Sequence, residues 1–412
     1  MRIAFVTFGC RLNRAEALDM EAEALAAGHE IVPLGTVPID QPAGTVPIDR
    51  IIVRGCSVTA KAQHECEKEI ARLKRKFLKA EIIPTGCLPN ALKVLNASNA
   101  LKPLEALDAY DHKSRAHIKI QDGCNGRCAF CIVPQFRGPP VSLPFPAILA
   151  RARAFLDAGF RELVVTGCNL ALYRESGRGL ADLLAALAKL PPPAGCENEL
   201  ATSPATIHRV RLGSIEPGIC DNRIFDCLAA HPNICRSLHI SLQSGSNRIL
   251  RRMNRPYAAE AVAAFCRRLR REVSPQFAFG ADVIAGFPGE TEADHAATVR
   301  FLEQQTDGLP LFSNLHVFPY SERPGTPAAT MTGTVPTSLR QARARELQAI
   351  GQRNRAIFAE SFIGRTVVVC VEKDGSGWTD EYLRTKAPPG ARRRQLATAL
   401  FTVGGRNGAR PT

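Results

Sequence analysis

Short apolar runs alternate with helical stretches along the first hundred residues. RIAFVTF (2–8), DRIIVRG (49–55) and AEIIPTG (80–86) have the length and β-branched content of strands. EALDMEAEALAAG (16–28) has helical periodicity and ends at Gly28, and a charged amphipathic helix holding seven Lys/Arg is predicted over about 61–79. This order predicts an α/β unit built on a parallel sheet. After a polar link around 96–115, six further strands are predicted: AHIKIQ (116–121), ELVVTG (162–167), RVRLGSI (209–215), SLHISLQ (237–243), AFGADVIA (278–285) and NLHVFPY (314–320). Helices such as PFPAILARARAFLDAG (144–159) and AAEAVAAFCRRLRREV (258–273) fill the gaps. Six successive β/α units predict an open or partial barrel, with ligands gathered at the carboxyl ends of its strands. A basic helix (339–362) and Gly364 lead into a short β texture containing Trp378 and Tyr382. Three units are expected, over 1–105, 106–345 and 346–412. A tandem copy, GTVPIDQPA followed by GTVPID (35–49), is too short for a structural repeat and reads as an inserted loop.

Composition narrows the class. The 412 residues are 45% apolar and 22% charged, which excludes wholesale disorder. No run approaches the ~18 apolar residues of a membrane span, and the opening MRIAFVTFGC lacks a signal-peptide pattern, so a cytoplasmic protein is expected. Lys+Arg 53 against Asp+Glu 39 gives +14, a balance that favours a polyanionic partner such as nucleic acid over a basic enzyme with no such partner. Beyond Glu381 no acidic residue occurs, and the last ~25 residues are expected to be poorly ordered.

Fourteen cysteines in a cytoplasmic chain point to metal or redox chemistry rather than disulfides. DGCNGRCAFC places Cys124, Cys128 and Cys131 directly after the first barrel strand. Three thiolates at CxxxCxxC spacing can converge on one iron–sulfur cluster and leave one iron open. A zinc site with a fourth ligand, or three unrelated core thiols, are the alternatives. Cys10, Cys56 and Cys87 each follow a strand and a glycine, in TFGC, VRGC and PTGC. Parallel neighbouring strands would bring them to one sheet edge; buried structural thiols are the alternative. The other eight (Cys66, Cys168, Cys196, Cys220, Cys227, Cys235, Cys266, Cys370) are assigned to packing, with Cys168, which also ends a strand, set apart from the rest. The nine histidines form no HxxxH or HExxH set, and His239 and His316 read as core histidines.

The CxxxCxxC loop, with Phe130 just before its last cysteine, resembles the radical S-adenosylmethionine superfamily, and the upstream trio resembles its methylthiotransferase branch. TFGCRLNRAE, RLGSIEP, HISLQSGSNRILRRMNR, GADVIAGFPGETEADH and LHVFPYSERPGTPAA extend the resemblance over about 1–385, most similar to the MtaB-type tRNA enzymes. The resemblance implies two 4Fe–4S clusters: a radical cluster on Cys124, Cys128 and Cys131 that binds S-adenosylmethionine, and an auxiliary, sulfur-supplying cluster on Cys10, Cys56 and Cys87. It places Phe130, Gly167, Asn169, Glu216, Ser241, Gln243 and Asp282 at the cofactor-binding edge. Glu216 and Asp282 would act there as hydrogen-bond acceptors rather than proton shuttles, with a purely structural role the alternative for Asp282. The implied reaction adds a methylthio group to carbon 2 of N6-threonylcarbamoyladenosine next to the tRNA anticodon. No side-chain base removes that C–H proton usefully, so a 5′-deoxyadenosyl radical activates it and a second S-adenosylmethionine supplies the methyl group. Implied partners are the tRNA anticodon stem-loop, an external electron donor and a sulfur source, with no membrane, for a monomeric transferase.

Three departures from the family pattern stand out. Arg54-Gly55 precedes Cys56 where Asn-Thr is usual, RGPPVSLP (137–144) replaces a Ser-Arg-rich run, and only the start of a TRAM-type RNA-binding β-barrel is recognisable, its strand pattern dissolving after Arg384. An incomplete TRAM-like module is therefore expected. Sibling methylthiotransferases acting on isopentenyl-adenosine in tRNA or on a ribosomal aspartate, and a non-catalytic RNA- or zinc-binding relic, are the competing readings.

Overall fold

The computed structural model describes residues 1–32, 34, 48–88, 114–191 and 208–402. Most of the tandem copy, the greater part of the polar link and Cys196 lie outside them. The first unit runs β1 (Arg2–Thr7), α1 (Arg11–Ala26), β2 (Glu30–Ile31), β3 (Arg50–Gly55), α2 (Ala60–Lys76) and β4 (Glu81–Gly86). Its four strands are parallel in the order β2-β1-β3-β4, so the ends of β1, β3 and β4 share one edge. Ala4, Ile51 and Val53 from the strands and Leu73 from α2 close its core. α1 begins five residues earlier than its apolar period (Arg11 against 16). Its first turns bury Asn13 and Glu16, which both accept from Arg137 of the second unit and therefore break the hydrophobic pattern.

The second unit begins with β5 (Ala116–Asp122), a short α3 (Val133–Arg137), β6 (Val141–Ser142), α4 (Phe145–Asp157) and β7 (Glu162–Gly167). A small hairpin, β8 (Arg174–Glu175) with β9 (Arg178–Gly179), precedes α5 (Leu180–Ala188), β10 (Arg209–Leu212), β11 (Ser214–Ile215) and α6 (Asn222–Ala230). Then come β12 (Ser237–Gln243), α7 (Asn247–Arg252), α8 (Ala259–Glu272), β13 (Ala278–Ala285) and α9 (Glu292–Leu302). A second hairpin, β14 (Gln305–Thr306) with β15 (Leu309–Pro310), leads to β16 (Asn314–Pro319) and the long α10 (Thr337–Glu360). β5-β7-β10 and β11-β12-β13-β16 are parallel, and only Gly213 separates β10 from β11, so six β/α strands curve into the expected partial barrel. One apolar core, from Ile118 through Val165, Leu212 and Ile240 to Val283, joins strands to helices.

The last strands are β17 (Thr366–Val371), β18 (Ser376–Trp378), β19 (Arg384–Lys386) and β20 (Leu396–Leu400), antiparallel in the order β19-β18-β17-β20. The strand pattern does not dissolve after Arg384. β20 pairs with β17 from Thr366↔Leu400 to Cys370↔Leu396, and Phe401 packs with Phe358, Phe362 and Val369. LATAL has too few β-branched residues to signal a strand by itself, and its pairing with β17 supplies what its own sequence lacks. The module docks at the amino-terminal ends of the barrel strands. There the fully buried Glu162 pairs with Arg209 and Arg211, which donate to the carbonyls of Trp378 (2.6 Å) and Thr379 (2.8 Å). Among the described residues no helix is long and apolar enough to cross a membrane.

Candidate functional site

The cysteine loop leaves β5 through Gly123, whose φ of 67° and closeness to Pro139 leave no room for a side chain: a Cβ would lie 1.9 Å from the Pro139 carbonyl oxygen. The Cys124 N–H donates to the Gly138 carbonyl, and the Gly126 N–H donates to the Cys124 sulfur at 3.2 Å. A Cβ on Gly126 would lie 3.2 and 3.8 Å from the Cys124 and Cys128 sulfurs, so the glycine keeps the loop clear between them. Arg255 donates to the Cys128 sulfur at 3.0 Å and is paired with Glu216. Burial pushes the Cys131 thiol up to about 12 and raises Cys128 as well, although Arg255 opposes the latter shift. Unaided, these thiols would be protonated at neutral pH; a bound cationic cluster supplies the charge that ionises them.

The second trio assembles from three strand ends. Cys10 caps α1, Cys56 follows β3 and Cys87 follows β4, with the Cys87 N–H donating to the Gly55 carbonyl. Gly9 lies so close that a Cβ there would meet the Cys56 Cβ at 2.8 Å. Burial raises the Cys56 thiol to about 11, and the nearness of Cys10 and Cys87 adds to the rise. Cys66 on α2 backs the site, its sulfur accepting from the Cys56 N–H at 3.4 Å. A tetrahedral zinc ion would hold its sulfurs about 3.8 Å apart, from Zn–S near 2.3 Å. Among the described residues the metal-capable set gathered within 4.8 Å is His239, Asp282 and His316 rather than either cysteine trio. The donors to the sulfurs and the glycine cradles fit a cluster.

Arg137, at the end of α3 just after the CxxxCxxC loop, reaches across to the other trio. Its Nε donates to the Cys87 sulfur at 3.1 Å, and its other nitrogens donate to Glu16 (3.0 Å), Asp122 (2.9 Å) and Asn13 (2.9 Å). Glu16 also takes Lys119 at 2.6 Å and pairs with Arg54. Arg54, one of the departures from the family pattern, is thus a strut of the domain contact. Burial alone would raise the Glu16 carboxyl, but Arg137, Arg54 and Lys119 hold it far below the usual carboxylate range. Cys168 follows β7, its N–H donates to the Gln121 carbonyl, and burial raises its thiol while Arg137 opposes the rise.

The remaining expected contacts take varied positions. Asn169 approaches the Cys124 sulfur (3.8 Å), and its N–H donates to Gln121 at 2.8 Å. A Cβ on Gly167 would meet Leu170 at 3.0 Å. Phe130 packs against the buried Met253 and Phe287 cluster. The Ser241 carbonyl accepts from Tyr257 at 2.9 Å, and Gln243 has a left-handed φ of 69° where the register with β13 shifts. Asp282 lies lower on β13, where its Oδ1 meets His239 Nε2 at 2.9 Å and His316 Nδ1 at 3.5 Å. Those two histidines are therefore not core residues: they line an internal cleft, and their set escaped the motif search because its members come from three strands. Arg137 and Arg255 were also missed, although both lie inside quoted motifs.

A parallel partial barrel with a three-cysteine loop at the end of its first strand defines a radical S-adenosylmethionine enzyme, and residues 118–302 match the model of the Radical SAM superfamily. Residues 2–102 match Uncharacterized protein family UPF0004. The chain is 32% identical over 391 residues to a threonylcarbamoyladenosine tRNA methylthiotransferase MtaB of Chlamydia pneumoniae, covering 89% of this chain and 86% of that one. It is 31% identical to the Rickettsia prowazekii MtaB (94% and 91% covered), and 35% identical to a tRNA-2-methylthio-N(6)-dimethylallyladenosine synthase of Cereibacter sphaeroides (71% and 64%). The chain belongs to the radical S-adenosylmethionine tRNA methylthiotransferase family. Its fold is similar to that of the radical S-adenosylmethionine methyltransferase TsrM of Kitasatospora setae, with a TM-score of 0.55 at 15% identity, covering 80% of this chain and 77% of that one.

Proposed function

We propose that this chain adds a methylthio group to carbon 2 of N6-threonylcarbamoyladenosine beside the anticodon, as a monomer acting on cytoplasmic tRNA. The observation that carries this reading is the pair of cysteine trios on facing domains, fastened to each other through Arg137 and Glu16. A simple radical enzyme needs one such loop; a methylthiotransferase needs a second, for sulfur. The MtaB relatives, aligned over 89% and 94% of the chain, favour the threonylcarbamoyl substrate.

Cys124, Cys128 and Cys131 would hold one 4Fe–4S cluster, and Cys10, Cys56 and Cys87 the other. When bound, the first supplies reductive cleavage of S-adenosylmethionine and the second supplies sulfur. The chain itself positions. Arg255 donates to the Cys128 sulfur and neutralises Glu216, Asn169 holds the Cys124 side, and Arg137 fixes the distance between the loops. The apolar barrel wall excludes water from the strand ends. The dimethylallyl-adenosine reading rests on the 35% identity to such a synthase.

Anaerobically reconstituted protein should bind about eight irons, four per cluster. Cys124→Ala and Cys56→Ala should each lose about half of them. Mass spectrometry of tRNA lacking the modification should show a methylthio gain on threonylcarbamoyl-adenosine. A gain on dimethylallyl-adenosine alone would replace this substrate with its sibling, and no gain with both clusters loaded would overturn the reading.

A further inference from the structure

Below the cluster end of the barrel, the lumen opens into a cleft of ≈ 490 Å³, its mouth included, walled by β10, β12, β13, β16 and the loop that carries Tyr382. The charges around it are unbalanced. Arg11, one residue beyond Cys10, lines the cleft and donates to the Tyr382 hydroxyl at 2.9 Å, with no carboxylate partner among the described residues. Arg355 reaches in from α10. Among the described residues its hydrogen bond is to the Asn314 side chain (3.2 Å), its Nε is buried without a partner, and no ion pair joins it to a carboxylate. Arg211 is already committed to Glu162, and Asp282 to its two histidines.

We infer that this cleft binds a carboxylate on the N6 substituent of the substrate adenosine, with Arg355 and Arg11 as its receptors. The inference rests on the proposed function and names the group that would select the substrate. Half-buried cations without an ion-pair partner gain from a counter-charge, so two guanidiniums lining one cleft suit an anion. A dimethylallyl group would leave both unpaired. Tyr382 reports the potential. Burial pushes its phenol up, yet Arg11, Arg115 and Arg211 outweigh burial and bring it below its ordinary value. Glu381 lines the same cleft, its carboxyl raised by burial and by Asp380 beside it, so a single carboxyl there stands against the two guanidiniums. Tyr382 holds its place in a left-handed conformation (φ 63°), stacked on Trp378 at 4.6 Å, a strained geometry that the docked module enforces.

Depth sets how the base must enter. His239 and His316, which line the cleft, meet Asp282, three residues or about 10 Å below the end of β13 at ~3.3 Å per residue. Asn314, the partner of Arg355, pairs with Gly280 two residues lower. In threonylcarbamoyl-adenosine the carboxylate lies roughly 8 Å from carbon 2 by ordinary bond lengths. The carboxylate therefore meets Arg355 when the base enters the lumen with its N6 substituent leading and carbon 2 held inside the strand ends.

The test measures binding of cluster-loaded protein to labelled anticodon stem-loops carrying threonylcarbamoyl-adenosine or its threonyl methyl ester, which differ only in the charge. Wild type should bind the acid about tenfold more tightly than the ester. Arg355→Gln should erase that difference, Arg355→Lys should restore part of it, and Arg11→Gln should reduce it independently. Iron content confirms that each variant is folded. Equal binding of acid and ester by wild type, or a full preference retained in Arg355→Gln, would overturn the inference. If wild type methylthiolates the acid without distinguishing the ester, only the cleft assignment falls; if it discriminates but modifies neither adenosine, the proposed function falls instead.

Discussion

Gly123 shows how much one residue fixes. Its left-handed φ and its contact with Pro139 turn the chain from β5 directly into the cysteine loop. Gly123→Ala should therefore move Cys124 and abolish the radical cluster while sparing the auxiliary one, read as a loss of about four of eight irons. Its CxxxCxxC neighbours were legible because loop ligands lie close in sequence. Arg255 and Arg137 were not, because a basic residue in a motif looks the same whether it faces solvent or a sulfur. Asp282 was placed at the cofactor edge by resemblance, but the structure sets it lower, against His239 and His316, since position along a strand and not strand identity decides which layer of the lumen a side chain reaches.

Elements follow their periodicity where packing is apolar. The nine predicted strands all occur within a residue or two of their expected limits, with Gly213 splitting the one at 209–215. α1 and β20 were the exceptions, because buried polar contacts start the first and pairing with β17 makes the second. The same logic governs the docking of the last strands. Glu162 is fully buried, and burial would raise its carboxyl, but Arg211, Arg209 and Arg115 hold it well below the usual value. A depressed carboxylate stabilises the fold above its unfolded pKa, near ~4.3, and that contribution is lost as the pH falls toward the folded value. Wild type should thus lose melting temperature progressively below about pH 5. Glu162→Gln should start about 3 kcal/mol less stable at pH 7, with its acid dependence flattened. Melting curves between pH 3 and pH 7 check both; equal slopes for the two proteins would contradict the assignment.

At the scale of the whole molecule, Glu16 is the hinge of the design. It gathers Arg54 from the first sheet, Lys119 from β5 and Arg137 from α3 into one buried contact. Glu16→Gln leaves those cations under-paired and loosens the seating of one trio against the other. Displacements of about 1 Å can cost up to ~100-fold in a positioned reaction, so methylthio product per 5′-deoxyadenosine released should fall about tenfold or more. Chromatography of both products from single reactions checks this, and an unchanged ratio would show that the contact is merely structural.

The sequence by itself determined what is local: the strand–helix alternation, the three-cysteine loop, the glycine–cysteine strand ends and the excess of positive charge, each carried by residues close together along the chain. Tertiary structure decided which of those strand ends meet, that Arg54 serves a domain contact, and that Arg11, Arg355 and Tyr382 from three separate elements enclose one cleft. Periodicity encodes which face of an element is buried, whereas the partner of a buried charge is set by how elements pack, and no spacing along the chain records it.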